Sequence, residues 1–138
     1  MKALLGILAI IGAMTLSACV TGRPYTFSPL TIRVTVIDAK TKKPIPNAAL
    51  RVVAVGNHTG RKFVWDGFRT DAGGVCLVQT PSKSTWIGGS EAFSGGFSRR
   101  LEVEAESYVA QSVREEVYDP ERREMSSRFS KGEYLFEL

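Results

Sequence analysis

Leu30-Thr-Ile-Arg-Val-Thr-Val-Ile-Asp38, followed by Lys40-Thr-Lys-Lys-Pro-Ile-Pro-Asn-Ala-Ala-Leu50, is the stretch that decides the fold class. Leu30, Ile32, Val34 and Val36 fall on one side of an extended chain, and Thr31, Arg33 and Thr35 fall on the other. A period of two rich in β-branched residues marks a strand with one face on a core and one in water. Each buried side chain of this kind contributes about 1.5–3 kcal/mol, so the strand is a strong local driver of folding. The polar, basic turn after it contains Pro44 and Pro46, which fix φ and remove two backbone donors. Ala48, Leu50, Val52 and Ala54 then resume the alternation.

The same pattern recurs downstream. Lys62 to Phe68 reads as a short extended piece after a polar loop at Gly56 to Lys62. In Val75-Cys-Leu-Val78 both faces are apolar, so periodicity alone does not choose the inward one. Leu101, Val103 and Ala105 alternate with Glu102, Glu104 and Glu106, a half-exposed strand. Val109 to Val117 reads as the next strand, although Val109, Val113 and Val117 also suit a helix face. Asp119 to Gly132 is charged and turn-like, and Tyr134, Phe136 and Leu138 form a closing strand with Glu137 toward solvent.

Three blocks carry a family resemblance. Asp38 followed by Thr41-Lys-Lys-Pro-Ile-Pro-Asn-Ala48 resembles the opening of the carboxypeptidase regulatory-like domain, a transthyretin-like β-sandwich. Thr70-Asp-Ala-Gly-Gly74 resembles that family's Thr-Asp-Ala-Asp-Gly turn, and Leu101 to Tyr108 resembles its penultimate strand, which ends in Gly-Tyr. The likeness covers Leu30 to Tyr108. Lys42, Asn47 and Ser107 stand where the family usually has glycine, and of these Asn tolerates positive φ best. The resemblance implies an all-β, Ig-like Greek-key sandwich of about seven strands over residues 30–138. For Val75 to Val78 it implies that Cys76 and Val78 face the core while Val75 and Leu77 face outward. The purine-pathway hydrolases of similar architecture carry several histidines and a C-terminal Tyr-Arg-Gly-Ser; this chain ends Tyr134-Leu-Phe-Glu-Leu138 and does not fit them.

Residues 1–18 read as a cleaved signal peptide, with a basic start at Lys2 and an apolar run from Ala3 to Met14. The run is shorter than the ~20 residues a membrane span needs. Leu16-Ser17-Ala18-Cys19 resembles the lipobox of bacterial lipoproteins, which implies that Cys19 becomes an N-terminal cysteine carrying diacylglyceryl and N-acyl chains. Each buried CH₂ contributes ~0.8 kcal/mol, and two or more chains hold a protein stably on a bilayer. Val20, not Asp, follows the cysteine, so the resemblance implies the outer membrane of a Gram-negative envelope and a periplasmic domain. Residues 19–29 read as an irregular lipidated tether, from which Tyr25 and Phe27 can pack back on the domain.

The remainder is one domain's worth of chain, and the full sequence is ordinary in composition at 43% hydrophobic and 23% charged. The net charge of the full sequence is +4, about +3 once Lys2 leaves with the leader; the basic residues are scattered among acidic ones, which suits a mixed solvated surface, and nothing resembles a nucleic-acid module. His58 is the sole histidine and sits in a Gly-flanked loop, with no metal-ligand spacing and no nucleophile elbow around it. Asp71 stands alone as a carboxylate and reads as a turn residue, not a calcium ligand. Cys76 is the one thiol left once Cys19 is acylated, and an apolar strand suits an inert core thiol. No catalytic residue, metal or cofactor is expected.

The segment Thr80 to Ser98 lacks a hydrophobic period and contains two Gly pairs. It reads as a long loop in which Trp86, Phe93 and Phe97, with Trp65, form an exposed patch for a partner or a glycan. The alternative is that Trp86 and one Phe fold back over the open end of the sandwich. The expectation is a non-enzymatic binding or scaffold module of an envelope assembly, using this loop and the sheet edges. Two other readings are a carbohydrate- or peptidoglycan-binding accessory module and a secretion-system lipoprotein.

Overall fold

The computed structural model describes residues 22–57, 59–88 and 96–138, with residues 117–119 as backbone only. The leader, Cys19, His58 and Phe93 lie outside these residues. In chain order the strands are β1 (Arg23–Phe27), β2 (Leu30–Ile37), β3 (Ala49–Gly56), β4 (Lys62–Arg69), β5 (Val75–Thr80) and β6 (Lys83–Ile87). They continue as β7 (Phe97–Glu104), β8 (Gln111–Arg114), β9 (Glu116–Asp119), β10 (Glu124–Ser127) and β11 (Glu133–Glu137).

The protein is an all-β sandwich. One sheet has the order β11-β2-β5 and the other β4-β3-β7-β8, giving seven strands in the two main layers. The alternation of β2 places Ile32, Val34 and Val36 at 0% exposure, against Leu50 and Val52 of β3 and Leu101 and Val103 of β7. β2 pairs antiparallel with β5 and parallel with β11, so both of its backbone edges are satisfied. β4 lies beside β5 at one side of the sandwich. The strands therefore run β3-β4-β5-β2 around the core, and the β2-to-β3 connection completes a Greek key. Cys76 and Val78 point inward, at 8% and 0% exposure, and Leu77 outward at 55%.

Two expected irregular segments are strands. Residues 23–27 are not tether: β1 pairs antiparallel with β6, itself within the stretch read as one long loop. Tyr25 and Phe27 project from one side of β1 and join Phe63 and Phe97 in a second apolar cluster with Ile87 and Ala54. Pro24 is tolerated because each strand of a two-stranded ribbon is an edge. In the same way residues 119–132 are not all turn, since β10 pairs with β9. Within 109–117, strand begins at Gln111 and is broken at Glu115 between β8 and β9.

Glu115 is held by a bidentate pair with Arg99, the two side chains being 15% and 12% exposed. Arg99 also donates to the Ser28 carbonyl at 2.7 Å, so one guanidinium joins β7, the β8–β9 break and the β1–β2 link.

One end of the sandwich gathers the three blocks that carry the resemblance. Asp38 Oδ1 accepts the Lys40 and Thr41 backbone N–H groups at 2.8 and 2.7 Å, and Oδ2 accepts the Tyr108 hydroxyl at 2.8 Å. The buried Thr70 hydroxyl donates to the Ile45 carbonyl and accepts the Ala48 N–H, both at 2.8 Å. Asp71 Oδ1 accepts the Gly73 and Val75 N–H groups, the turn role expected of it. At Gly74, φ is +72° and a Cβ would stand 2.6 Å from the Val36 carbonyl oxygen, so glycine is required there. Lys42, Asn47 and Ser107 have φ of +59°, +58° and +67°.

A left-handed non-glycine residue costs about 1–2 kcal/mol, against an unfolded-chain entropy cost of about 0.4–1 kcal/mol for introducing glycine. The exposed Lys42–Glu137 pair that Lys42→Gly removes contributes little. The double variant Lys42→Gly/Ser107→Gly is expected to be more stable by about 1 kcal/mol. Urea unfolding should show a higher midpoint at unchanged slope; a lower midpoint contradicts the assignment of strain to these two residues.

Candidate functional site

The outer face of the four-stranded sheet carries a groove of about 560 Å³. Because Leu50, Val52, Leu101 and Val103 point into the core, Arg51, Glu102 and Glu104 must point out. Arg51 stands directly opposite Glu102 across the β3–β7 pair and their side chains form an ion pair, with Glu102 15% exposed. Arg100, one position away on the same face, approaches the second oxygen of Glu102 at 2.7 Å. Burial alone raises the Glu102 pKa, but the hydrogen bond and charge of Arg51 and the charge of Arg100 outweigh it and hold the carboxyl below its ordinary range. The hydrogen bond to Glu102, with its charge, raises the Arg51 pKa.

A β-bulge shapes the rim. Leu50 pairs with Phe68 and Val52 with Trp65, so Asp66 and Gly67 both stand against Arg51 alone. Gly67 adopts φ +85°, the conformation such a bulge needs. The result places the Asp66 carboxylate on the groove beside Arg51, with Arg69 and Gln111 at its ends. A second groove of about 400 Å³ continues along the same face, lined by Lys62, Arg100 and Arg114 with Ser98. The two meet at the Arg100–Glu102 pair. One face therefore grades from cationic to mixed and acidic, and its central charges are held in place by one another.

Of the aromatic candidates, the three among the described residues, Trp65, Trp86 and Phe97, do not form an exposed patch. Phe97 is 5% exposed, in ring contact with Tyr25, Phe27 and Phe63. Trp65 is half-buried and packs against both core clusters. Phe93 lies outside the described residues. Trp86 alone is exposed, at 63%, on the outward side of β6. Phe97 is buried because it begins β7 opposite Gly56, where the alternation of that strand turns it inward. Sequence reasoning missed the groove because alternating Arg and Glu read as an ordinary solvated face. The Asp66-Gly67 dipeptide inside an apolar run was the one available signal of a bulge.

Cys76 lies opposite Val34 on the core side, and burial pushes its thiol pKa up. Among the described residues no group of three His, Cys, Asp or Glu side chains is placed to hold a metal ion, and no helix is long and apolar enough to cross a membrane. No protein-family model, curated protein or solved structure matches the chain.

Truncating the two aromatics separates their roles. Phe97→Ala should cost about 3–5 kcal/mol, as for a fully packed core ring. Trp86→Ala should stay within about 0.5 kcal/mol. Thermal melts of the two variants check this, and a large loss in Trp86→Ala contradicts the exposed placement.

Asp38 gives a pH prediction. The Thr41 N–H, then the Tyr108 hydroxyl, hold its pKa at about 2, below the ordinary 3.8. Its ionised form therefore stabilises the fold fully above the unfolded value, and that contribution is lost as pH falls from 3.8 toward 2. In Tyr108→Phe the pKa should rise part of the way back, since the Lys40 and Thr41 donors remain, and acid unfolding should begin at higher pH. Carboxyl NMR titration reads the shift directly; an unmoved Asp38 contradicts the role of the phenol.

Proposed function

We propose that this protein is a lipoprotein held by acylated Cys19 on the periplasmic face of the outer membrane, acting as a non-enzymatic binding or scaffold module of an envelope assembly. The anchor rests on Leu16-Ser-Ala-Cys19 following a short apolar leader. The regulatory-like family reading is supported by backbone conformation: the three positions where this chain replaces the family's glycines all have positive φ. It is also supported by the meeting of Asp38 and Tyr108, drawn from two of the three blocks.

The observation that carries the binding reading is the charge-graded outer face of β4-β3-β7-β8. Its side chains are fixed by mutual ion pairs before any partner arrives, which lowers the ordering cost of association. Complementary charge of both signs suits a protein surface or an extended polar peptide and sets orientation and partner choice. A glycan site would instead present stacked aromatic faces. Among the described residues the one aromatic lining this groove, Phe68, is partly buried and packs against the core, so a protein partner is favoured over the peptidoglycan reading.

A photo-crosslinking residue placed at Ser112, beside Glu102 on this face, should capture one envelope protein in intact cells. The same residue at Leu77, on the outer face of the other sheet, should not. Arg51→Glu should abolish capture at position 112 while the domain stays folded. Capture only at position 77 would move the interface, and retention on purified sacculi without protein capture would favour the carbohydrate-binding reading.

A further inference from the structure

We propose that the outward side of the β1–β6 ribbon is a membrane-contact surface, with Trp86 seated among the lipid headgroups of the leaflet that receives the Cys19 acyl chains. The inference rests on the lipid anchor proposed above and adds a second, protein-borne contact to it.

The ribbon has two unlike sides. Register places Arg23, Tyr25 and Phe27 of β1 with Lys83, Thr85 and Ile87 of β6 on one side, and this side packs on the sandwich through Phe27 and Ile87. The other side consists of Pro24, Thr26, Ser84 and Trp86, all exposed. It carries no formal charge, and its two hydroxyls engage each other at 2.9 Å. An indole 63% exposed on an uncharged strand side, with hydroxyls beside it, has the amphipathic character of groups that settle at the membrane–water boundary.

Distance then decides where that side lies. Trp86 packs against Gly22: a Cβ there would collide with the indole Nε1 and the Ile87 carbonyl oxygen. Gly22 is three residue steps from Cys19, and a chain spans at most ~3.6 Å per step, so the residue proposed to be acylated lies within about 11 Å of the indole's backbone neighbour. The headgroup zone of one leaflet is roughly 5–8 Å deep, from a bilayer of about 40–45 Å with a hydrocarbon core near 30 Å. Acyl chains embedded in the core thus keep Gly22 within the headgroup zone or no more than a few Å beyond it, which leaves Trp86 in reach of the headgroups.

The segments 22–29, 59–65 and 81–88 contain Arg23, Arg61, Lys62 and Lys83 and no acidic residue, while Glu115, paired with Arg99, and Glu116 line the groove beside Tyr25 to Ser28. Arg23 and Lys83 stand at opposite ends of the ribbon on its sandwich side, where Lys83 Nζ lies 4.8 Å from the Phe63 ring centroid, so the outward side is uncharged but rimmed by basic residues. Arg61 holds the strand itself, donating to the Trp86 carbonyl at 3.0 Å and to Thr85 Oγ1 at 3.1 Å. The indole is therefore presented from a braced backbone.

The test uses the full acylated protein, reconstituted in vesicles of phosphatidylethanolamine and phosphatidylglycerol with and without brominated acyl chains. Flotation and intact mass read the anchor; tryptophan fluorescence reads the contact. The expected result is quenching by brominated lipid, stronger with bromine near the glycerol end than near the chain terminus, and lost in Trp86→Ala but kept in Trp65→Phe. A floating protein whose emission is not quenched overturns the contact and leaves the anchor standing. A protein that lacks lipid and does not float overturns the anchor and this proposal together. Quenching that survives in Trp86→Ala also overturns it, because the reporter is then Trp65.

Discussion

The inward row of β2 is the constraint on which the rest depends. Ile32, Val34 and Val36 are wholly enclosed between β3 and β7 of the facing sheet, and β2 is the middle strand of its own sheet. A slip of one residue would drive Thr31, Arg33 and Thr35 into that space and turn four apolar side chains to water, so the register has no near competitor. Both neighbours of β2 inherit this register. β5 turns Cys76 and Val78 inward because they pair with Val34 and Ile32, and β11 turns Phe136 inward opposite Val36.

From β2 the constraint passes to the end of the sandwich by backbone hydrogen bonds. The Val36 N–H donates to the Gly74 carbonyl and the Val36 carbonyl accepts the Ile45 N–H, at 2.8 and 2.9 Å. The turn after β2 and the turn before β5 are thereby clamped on the same residue, which explains why Gly74 has no room for a side chain. Thr70 closes the gap between the turns with a hydroxyl that both donates and accepts, leaving no unmet polar atom of its own in a buried place. Turns so tightly bound can impose left-handed conformations on Lys42 and Asn47, and Ser107 takes the same conformation in the turn that the Tyr108 N–H closes on the Ala105 carbonyl, because the surrounding bonds over-determine the backbone.

What was legible in the sequence follows from this division. Wherever one side of a strand meets the core and the other meets water, as in β2, β3 and β7, alternation revealed both the strand and its inward face. Val75 to Val78 needed more, because apolar residues lie on both sides of β5. The ribbons β1–β6 and β9–β10 were hidden for another reason: each strand is an edge, carries polar or proline residues, and owes its form to a partner distant in sequence. The buried state of Phe97 and the exposure of Trp86 could not be told apart within a segment lacking any period. The groove was hidden by its own composition. Arg51, Glu102 and Glu104 are what a solvated face requires, and only the pairing register shows that Arg51 and Glu102 face each other while a bulge adds Asp66.

The ribbon and the groove are joined by more than the core. Arg99 lies on β7, the strand that also carries Arg100 and Glu102, and its guanidinium grips both Ser28 at the end of β1 and Glu115 beyond β8. Phe27 adds ring contacts to Phe63, Trp65 and Phe97, which belong to β4 and β7. Losing one partner of a largely buried ion pair strands the other charge, so this link resists being opened. A long flexible linker would let the sandwich turn freely beneath its anchor; here the chain enters a strand four residues after Cys19. If the proposed acyl anchor and ribbon contact both hold at a bilayer, the sheet that bears the charged face takes a set direction with respect to the membrane. On that proposal, the three residue steps between Cys19 and Gly22 are what would let a small sandwich present one side, and not another, along the membrane.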